Sequence, residues 1–178
     1  CPSCDACVPV RIKVNNFFWT KSFRRIMKRN SDIFSTNFEA HATVEQYNLF
    51  QKYQQSQHRG GEMENMSYKD YKVMIEESPI KTHTIEFRQK KSKKLVAVLL
   101  ADYQVDSISA VYSFYDTREN ERSLGTYMIL STVELAGFLN KNFVYLGYWV
   151  EKSPKMAYKI RFKPLEGLGP DGWKIIKS

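Results

Sequence analysis

After residue 7 the 178-residue chain has no cysteine, and the three it does have, Cys1, Cys4 and Cys7, stand together in C-P-S-C-D-A-C. That scarcity argues against a disulfide framework, because cysteines two residues apart rarely reach bridging geometry and an odd count leaves one thiol over. No apolar run approaches the roughly 20 residues of a membrane span, and nothing resembles a signal peptide. Repeats and low-complexity tracts are also missing, so solenoids and tails are excluded. The chain opens on cysteine rather than methionine, which leads us to expect that its natural start, and any targeting segment with it, lies upstream. Cys1, Cys4 and Cys7 could give three thiolates to zinc or an iron–sulfur cluster with a fourth ligand upstream, or they could be the buried thiols of a tight turn.

What is present is a chain of globular composition, 43% hydrophobic and 14% aromatic, long enough to bury a core. Its net charge is +8 and its pI about 9.3, the balance of a protein with an anionic partner such as nucleic acid, or of a merely soluble basic surface. The segment from Thr20 to Asn30, TKSFRRIMKRN, separates the two readings. Phe23, Ile26 and Met27 fall at helical spacing while Lys21, Arg24, Arg25, Lys28 and Arg29 cover the remaining circumference without one acidic residue. Solvated helix faces usually mix signs, so this face is expected to contact phosphate.

Alternation of Val8, Val10, Ile12 and Val14 with other residues predicts a half-buried strand. Thr43-Val44-Glu45-Gln46 is a capping box that starts a helix running to about His58, where Arg59-Gly60-Gly61 stops it. A second helix starts at Ser67 and ends before Ser78-Pro79. Strands are predicted at 84–88, 95–102 and 108–115 as an antiparallel meander, then an apolar helix at 123–139 and a near-continuous buried strand at 143–150. Ser153-Pro154 predicts a further helix bearing Lys155, Met156, Tyr158 and Lys159, and the remainder reads as a loop with a last strand at 173–176.

Within this order, Phe114 to Ile129 (FYDTRENERSLGTYMI) is a strand, a charged turn, a glycine and a helix. The first N–H groups of a helix lack intrahelical partners, Gly125 lets a ligand come close to them, and Arg122 three residues earlier can add charge-assisted bonds to a phosphate. The element order is that of the GCN5-related N-acetyltransferase fold. We therefore expect an α+β protein with a mixed, mainly antiparallel sheet and flanking helices, plus a small N-terminal lobe and a helical insert. Residues 1–42 would be the remainder of that lobe with the basic helix, 43–80 the insert and 81–178 the acyltransferase-like core.

The segments CPSCDACVPVRI, RRIMKRN, HRGGEM, SPIKTHTIEFR, SAVYSFYD, RSLGTYMIL and YLGYWVEKSPKMAYKIRFKPLE together resemble the arginyl-tRNA-protein transferase family, and within it the bacterial aspartate/glutamate leucyltransferases. The resemblance implies transfer of leucine or arginine from charged tRNA to the N-terminal amine of proteins that begin with Asp or Glu, marking them for degradation in the cytoplasm. It implies no membrane and no cofactor for the chemistry, an N-terminal segment missing from this chain, and in eukaryotic relatives a metal or iron–sulfur centre near the position of Cys7.

Attack of an amine on an activated ester depends on positioning and on stabilising the oxyanion. Asp102 ends an apolar strand and is the expected orienter and proton acceptor for the amine, or a strand-end carboxylate meeting water. Tyr112, Tyr115 and Tyr148 are expected to orient the ester or to donate to the oxyanion, or to fill core. Arg122, Gly125 and Thr126 would hold the terminal phosphate or ribose, with Lys155, Lys159, Arg24, Arg25, Lys28 and Arg29 as further tRNA contacts. His58, Arg59 and Arg88 are candidates for the acceptor's carboxylate. A CoA-dependent N-acetyltransferase would share the phosphate turn, and a non-enzymatic nucleic-acid module organised by a cysteine-bound metal is the alternative of another class.

Overall fold

The run LVAVLLA can bury both faces of its backbone only in the middle of a sheet, and that is where it lies. A computed structural model describes residues 6–176. Its strands are β1 (Val8–Lys13), β2 (Ile33–Glu39), β3 (Thr82–Gln89), β4 (Leu95–Tyr103), β5 (Ser107–Tyr115), β6 (Phe143–Trp149), β7 (Leu165–Gly169) and β8 (Gly172–Ile175). The helices are α1 (Lys21–Arg29), α2 (Val44–Gln57), α3 (Tyr68–Glu76) and α4 (Leu124–Phe138). All the strands join one sheet in the order β2-β3-β4-β5-β6-β1-β7-β8. The meander β3-β4-β5 is antiparallel as expected, and β5 runs parallel to β6.

Alternate side chains of β4 divide the core in two. Ala97, Leu99 and Ala101 pack with α1 and α4, whereas Val98 and Leu100 pack with α2 and α3 around Phe50, Tyr71 and Phe114. Within residues 1–42, β1 lies between β6 and β7, and β2 pairs along β3 as an edge, so both strands belong to the same sheet as the core. The sequence gives β2 no signal, because its outward positions, including Phe38, are exposed and its alternation is blurred. The helix expected after Pro154 is instead a turn and a short 3-10 stretch, Ala157–Arg161, because Phe162 is drawn into the core against Phe23, ring centroids 5.2 Å apart. The tail forms a hairpin, β7–β8, rather than a loop and one strand.

α1 is capped by Thr20, whose side chain accepts from the Phe23 amide at 3.1 Å, and it buries only Phe23 and Ile26. Its far end is tied to the chain entering α4. The buried Asn30 side chain donates to the carbonyls of Ile26 and Arg122, at 3.0 and 2.9 Å, and Arg29 donates to the carbonyl of Glu121.

Candidate active site

The site is a break in the sheet. β5 and β6 pair over Ser107–Ser109 with Phe143–Tyr145, and beyond that point the two strands diverge while β5 continues to Tyr115. On β6 the divergence coincides with a bulge: Pro9 faces Tyr148 and Arg11 faces Tyr145, so β6 carries one extra residue there, with Gly147 at φ +70°. The backbone carbonyls of Leu146 and Tyr148 both accept from the Lys159 ammonium, the first at 2.7 Å.

Two chambers fill the gap, of about 410 and 390 Å³, sharing His58, Ser113, Lys155 and Tyr158 as walls. The outer chamber opens at the start of α4, where Ser123, at φ +53° and with no side-chain cap, leads into Leu124, Gly125 and Thr126. The first-turn N–H groups of that helix therefore face the chamber. A Cβ on Gly125 would meet the Tyr115 ring at 3.4 Å, so glycine keeps this mouth open. Behind it Tyr115 leans on Tyr53, and Tyr53 on His58, with centroids 5.0 and 5.5 Å apart. Burial pushes the hydroxyls of Tyr53, Tyr115 and Tyr158 up from the ordinary tyrosine range. Burial pushes His58 down, and the charge of Lys155 adds to the effect.

The inner chamber has an apolar wall, Leu99, Ala110, Val111, Met128, Ile129, Leu146 and Met156, facing polar groups of His58, Tyr112, Ser113, Lys155, Tyr158 and Lys159. Tyr112 stands at its side. The buried Gln54 amide donates to the Tyr112 oxygen at 2.6 Å, leaving the hydroxyl proton free to be donated inward.

Of the residues singled out from the sequence, Tyr112, Tyr115, Gly125, Thr126, His58, Lys155 and Lys159 line these chambers. Lys159 is occupied with β6 carbonyls, and burial holds its ammonium below the usual lysine range. Asp102 lies elsewhere. It lines neither chamber: it sits opposite Ser109, the last β5 residue paired with β6, and its carboxylate accepts from Thr82 Oγ1 at 2.6 Å. Tyr148 is 57% exposed and lines neither chamber, because the bulge turns it outward.

Arg122 does not project into the cleft either: its guanidinium is bonded to Asp32 and Glu119. Arg88 is likewise bonded to Glu45 and Glu86, which raises it above the usual arginine range, so it is not available to an acceptor carboxylate. Arg59 is exposed on the turn after α2, outside both chambers. Arg24, Arg25 and Lys28 are carried on α1, which the Asn30 contacts fasten to the rim. Cys1 and Cys4 lie outside the described residues, Cys7 is an exposed free thiol, and no group of three His, Cys, Asp or Glu among the described residues could hold a metal. Tyr53, Gln54 and Tyr158 join the site without having been singled out by any motif. The signal for the first two is the apolar-aromatic spacing of Tyr47, Phe50 and Tyr53 on α2, one face of a helix that reaches the cleft.

The family described as "Arginine-tRNA-protein transferase, C terminus" matches residues 45–169. The chain is 48% identical to the aspartate/glutamate leucyltransferase of Paramagnetospirillum magneticum over 174 residues, 98% of this chain and 71% of that one. It is also 48% identical to the enzyme of the same name from Rhodospirillum rubrum, covering 97% of this chain and 70% of that one. Among solved structures, L-PGS from Bacillus licheniformis superposes with a TM-score of 0.62 at 10% identity, over 82% of this chain and 46% of the other. A GCN5-related glucosamine N-acetyltransferase region of a fungal multi-domain protein gives 0.56 at 12% identity, over 97% of this chain and 20% of that one. At these identities the structural likeness establishes the fold alone, that of a GCN5-related acyltransferase. With the family profile covering most of its length and relatives nearly half identical along it, the chain belongs to the arginine-tRNA-protein transferase family.

Proposed function

We propose that this protein transfers leucine from its tRNA ester to the α-amine of proteins beginning with Asp or Glu. The observation that carries the reading is the inner chamber. Its seven apolar lining residues match a leucyl side chain, whose burial is worth about 1.5–3 kcal/mol. No carboxylate lines that chamber while Lys155 and Lys159 do, so an arginyl side chain would meet like charge there without an ion-pair partner. Arginine as the donor amino acid is therefore disfavoured on chemical grounds.

The remaining parts fall into place around that chamber. The start of α4 offers N–H groups to the terminal phosphate or ribose of the tRNA at the outer mouth. The basic face of α1, fastened to the same rim, runs alongside as a track for the rest of the polyanion. Lys155 and His58, which wall both chambers, are the cationic and basic groups offered to the acceptor. An α-amine of pKa 7.7–8.0 is about a tenth neutral at pH 7, so much of the barrier is removed by positioning the neutral fraction and by stabilising the tetrahedral oxyanion. Tyr112, its oxygen already accepting from Gln54, is the hydroxyl placed to donate to that oxyanion.

The test is direct. The protein is incubated with leucyl- or arginyl-tRNA and with peptides beginning in Asp, Glu or Ala, and the added residue is identified by mass spectrometry. Leucine on the Asp and Glu peptides is expected. Arginine added in preference to leucine, or acetylation from acetyl-CoA without tRNA, overturns the reading.

A further inference from the structure

The carboxylate expected from the sequence to accept the proton lines neither chamber, and Asp102 is bonded instead to Thr82. The groups that do face the cleft narrow the choice. Tyr53, Tyr112, Tyr115 and Tyr158 are all pushed up by burial and keep their protons at neutral pH. Lys155 and Lys159 are donors, and Glu119 at the outer rim is held by Arg122 at 2.8 Å and by Lys94 at 3.7 Å. His58 is left. It walls both chambers, and its imidazole makes no hydrogen bond among the described residues, only ring contact with Tyr53 and the field of Lys155.

The backbone is built to put it there. His58 closes α2, Gly60 turns the chain at φ +78°, and the Gly61 amide donates back to the His58 carbonyl at 2.8 Å. A Cβ on Gly61 would lie 2.9 Å from that carbonyl oxygen, closer than real Cβ contacts come, so any side chain at 61 would displace the turn. The two glycines of H-R-G-G thus hold one imidazole at the seam, while Arg59 beside them is exposed outside the chambers. The carbonyl end of α2 would favour a cation at this position, and Lys155, a wall of the same chambers, opposes that.

Resting on the leucyl-transfer reading, we propose that His58 accepts the proton of the attacking α-amine, and that Lys155 beside it pairs with the side-chain carboxylate of the acidic acceptor. The amine nitrogen bonds to the ester carbonyl carbon, whose π pair moves to oxygen, and the excess proton on nitrogen passes to the imidazole. The oxyanion then re-forms the C=O bond, the bond to the ribose oxygen breaks, and the imidazolium returns its proton to that oxygen. Amine plus ester gives amide plus alcohol, with no change of oxidation state.

This arrangement couples specificity to chemistry. A carboxylate on Lys155 cancels the charge that weakens His58 as a base, so an acidic acceptor strengthens its own proton acceptor as it binds. Preference for Asp over Ala should therefore appear in kcat as well as in KM, and Lys155→Met should shrink the kcat difference between the two peptides.

The experiment uses His58→Ala at saturating leucyl-tRNA and Asp peptide, from pH 5.5 to 9, with and without added imidazole. Transfer is expected to fall by about 10² or more, and imidazole should restore at least a tenth of the loss, tracking its neutral fraction. His58→Gln should show the same loss without the acidic limb of the wild-type profile, and unchanged tRNA binding checks the fold of either variant. A variant within threefold of wild type, or no restoration by imidazole in a variant that still binds tRNA, overturns the proposal. Wild-type protein that transfers no leucine to any peptide fails the underlying reading instead, before any variant is compared.

Discussion

Arg122 grips both carboxylate oxygens of Asp32, at 2.8 and 3.0 Å, from ninety residues further along the chain. With Glu119 on its Nε, the guanidinium clamps the entry of α4 to the end of α1. Arg122→Ala is expected to destabilise the protein by about 1 kcal/mol, since the Asp32 side chain is half exposed, and to leave intrinsic tRNA affinity nearly unchanged. The Arg122 guanidinium holds the Asp32 carboxyl below its ordinary range, so this contribution is present above the unfolded value of 3.8 and is lost as pH falls through the lower folded one. Urea midpoints of wild type and Asp32→Asn should therefore converge in strong acid. Tenfold weaker tRNA binding in Arg122→Ala with full stability would instead make it a phosphate ligand.

The α1 track makes a prediction about salt. Arg24, Arg25 and Lys28 lie together on one helix with no acidic neighbour in it. Replacing all three with alanine should flatten the dependence of log Kd on log salt by about one unit for each phosphate that the variant no longer neutralises. A slope equal to wild type would show that the nucleic acid takes another path.

The inner chamber makes one about size. Ala110 is a small wall residue on β5, and Ala110→Leu adds about three carbons to a space meant for the aminoacyl side chain. Leucine transfer should fall by about 10-fold or more in kcat/KM while binding of uncharged tRNA holds, and smaller aminoacyl groups should be favoured relative to leucine. Equal loss for every donor would mean that the chamber has another occupant.

Asp102→Asn is expected to transfer leucine within about twofold of wild type across pH 6 to 9, because Asn Oδ1 can still accept from Thr82 and nothing reacts there. A loss of about 10² in turnover would return Asp102 to the chemistry, and would require the strand end to move.

Periodicity and capping are enough to read α1, the two capped helices, the meander and the apolar α4 from the sequence. R-x-x-G likewise locates the mouth of the cleft at Gly125. Composition cannot show that the arginine of that motif already has a partner ninety residues away, since ion pairs of that span leave no local pattern. Asp102 invites a catalytic role because it ends a strand. Whether a strand end meets a cleft, however, depends on where β5 and β6 part, and that register is set by three dimensions rather than by alternation. Tyr53 and His58 read from the sequence as parts of an insert, and only the packing of α2 over β5 brings them to the site.

The extra residue at Gly147 has a consequence for sequence alignment across β6. Side chains of a strand alternate with period two, so one bulged residue exchanges inward and outward residue numbers for everything after it. Val144 and Leu146 face the core before the bulge, and Trp149 packs on that same core after it, although its number is odd. A chain that dropped this one position would run through β6 in unbroken alternation, with Trp149 on the core and Tyr148 outside as they are now. It would also knit the ladder shut where Lys159 now reaches two carbonyls. The opening of the cleft is thus written in parity: a change of residue-number parity across Gly147, with every face kept, marks the bulge in an alignment.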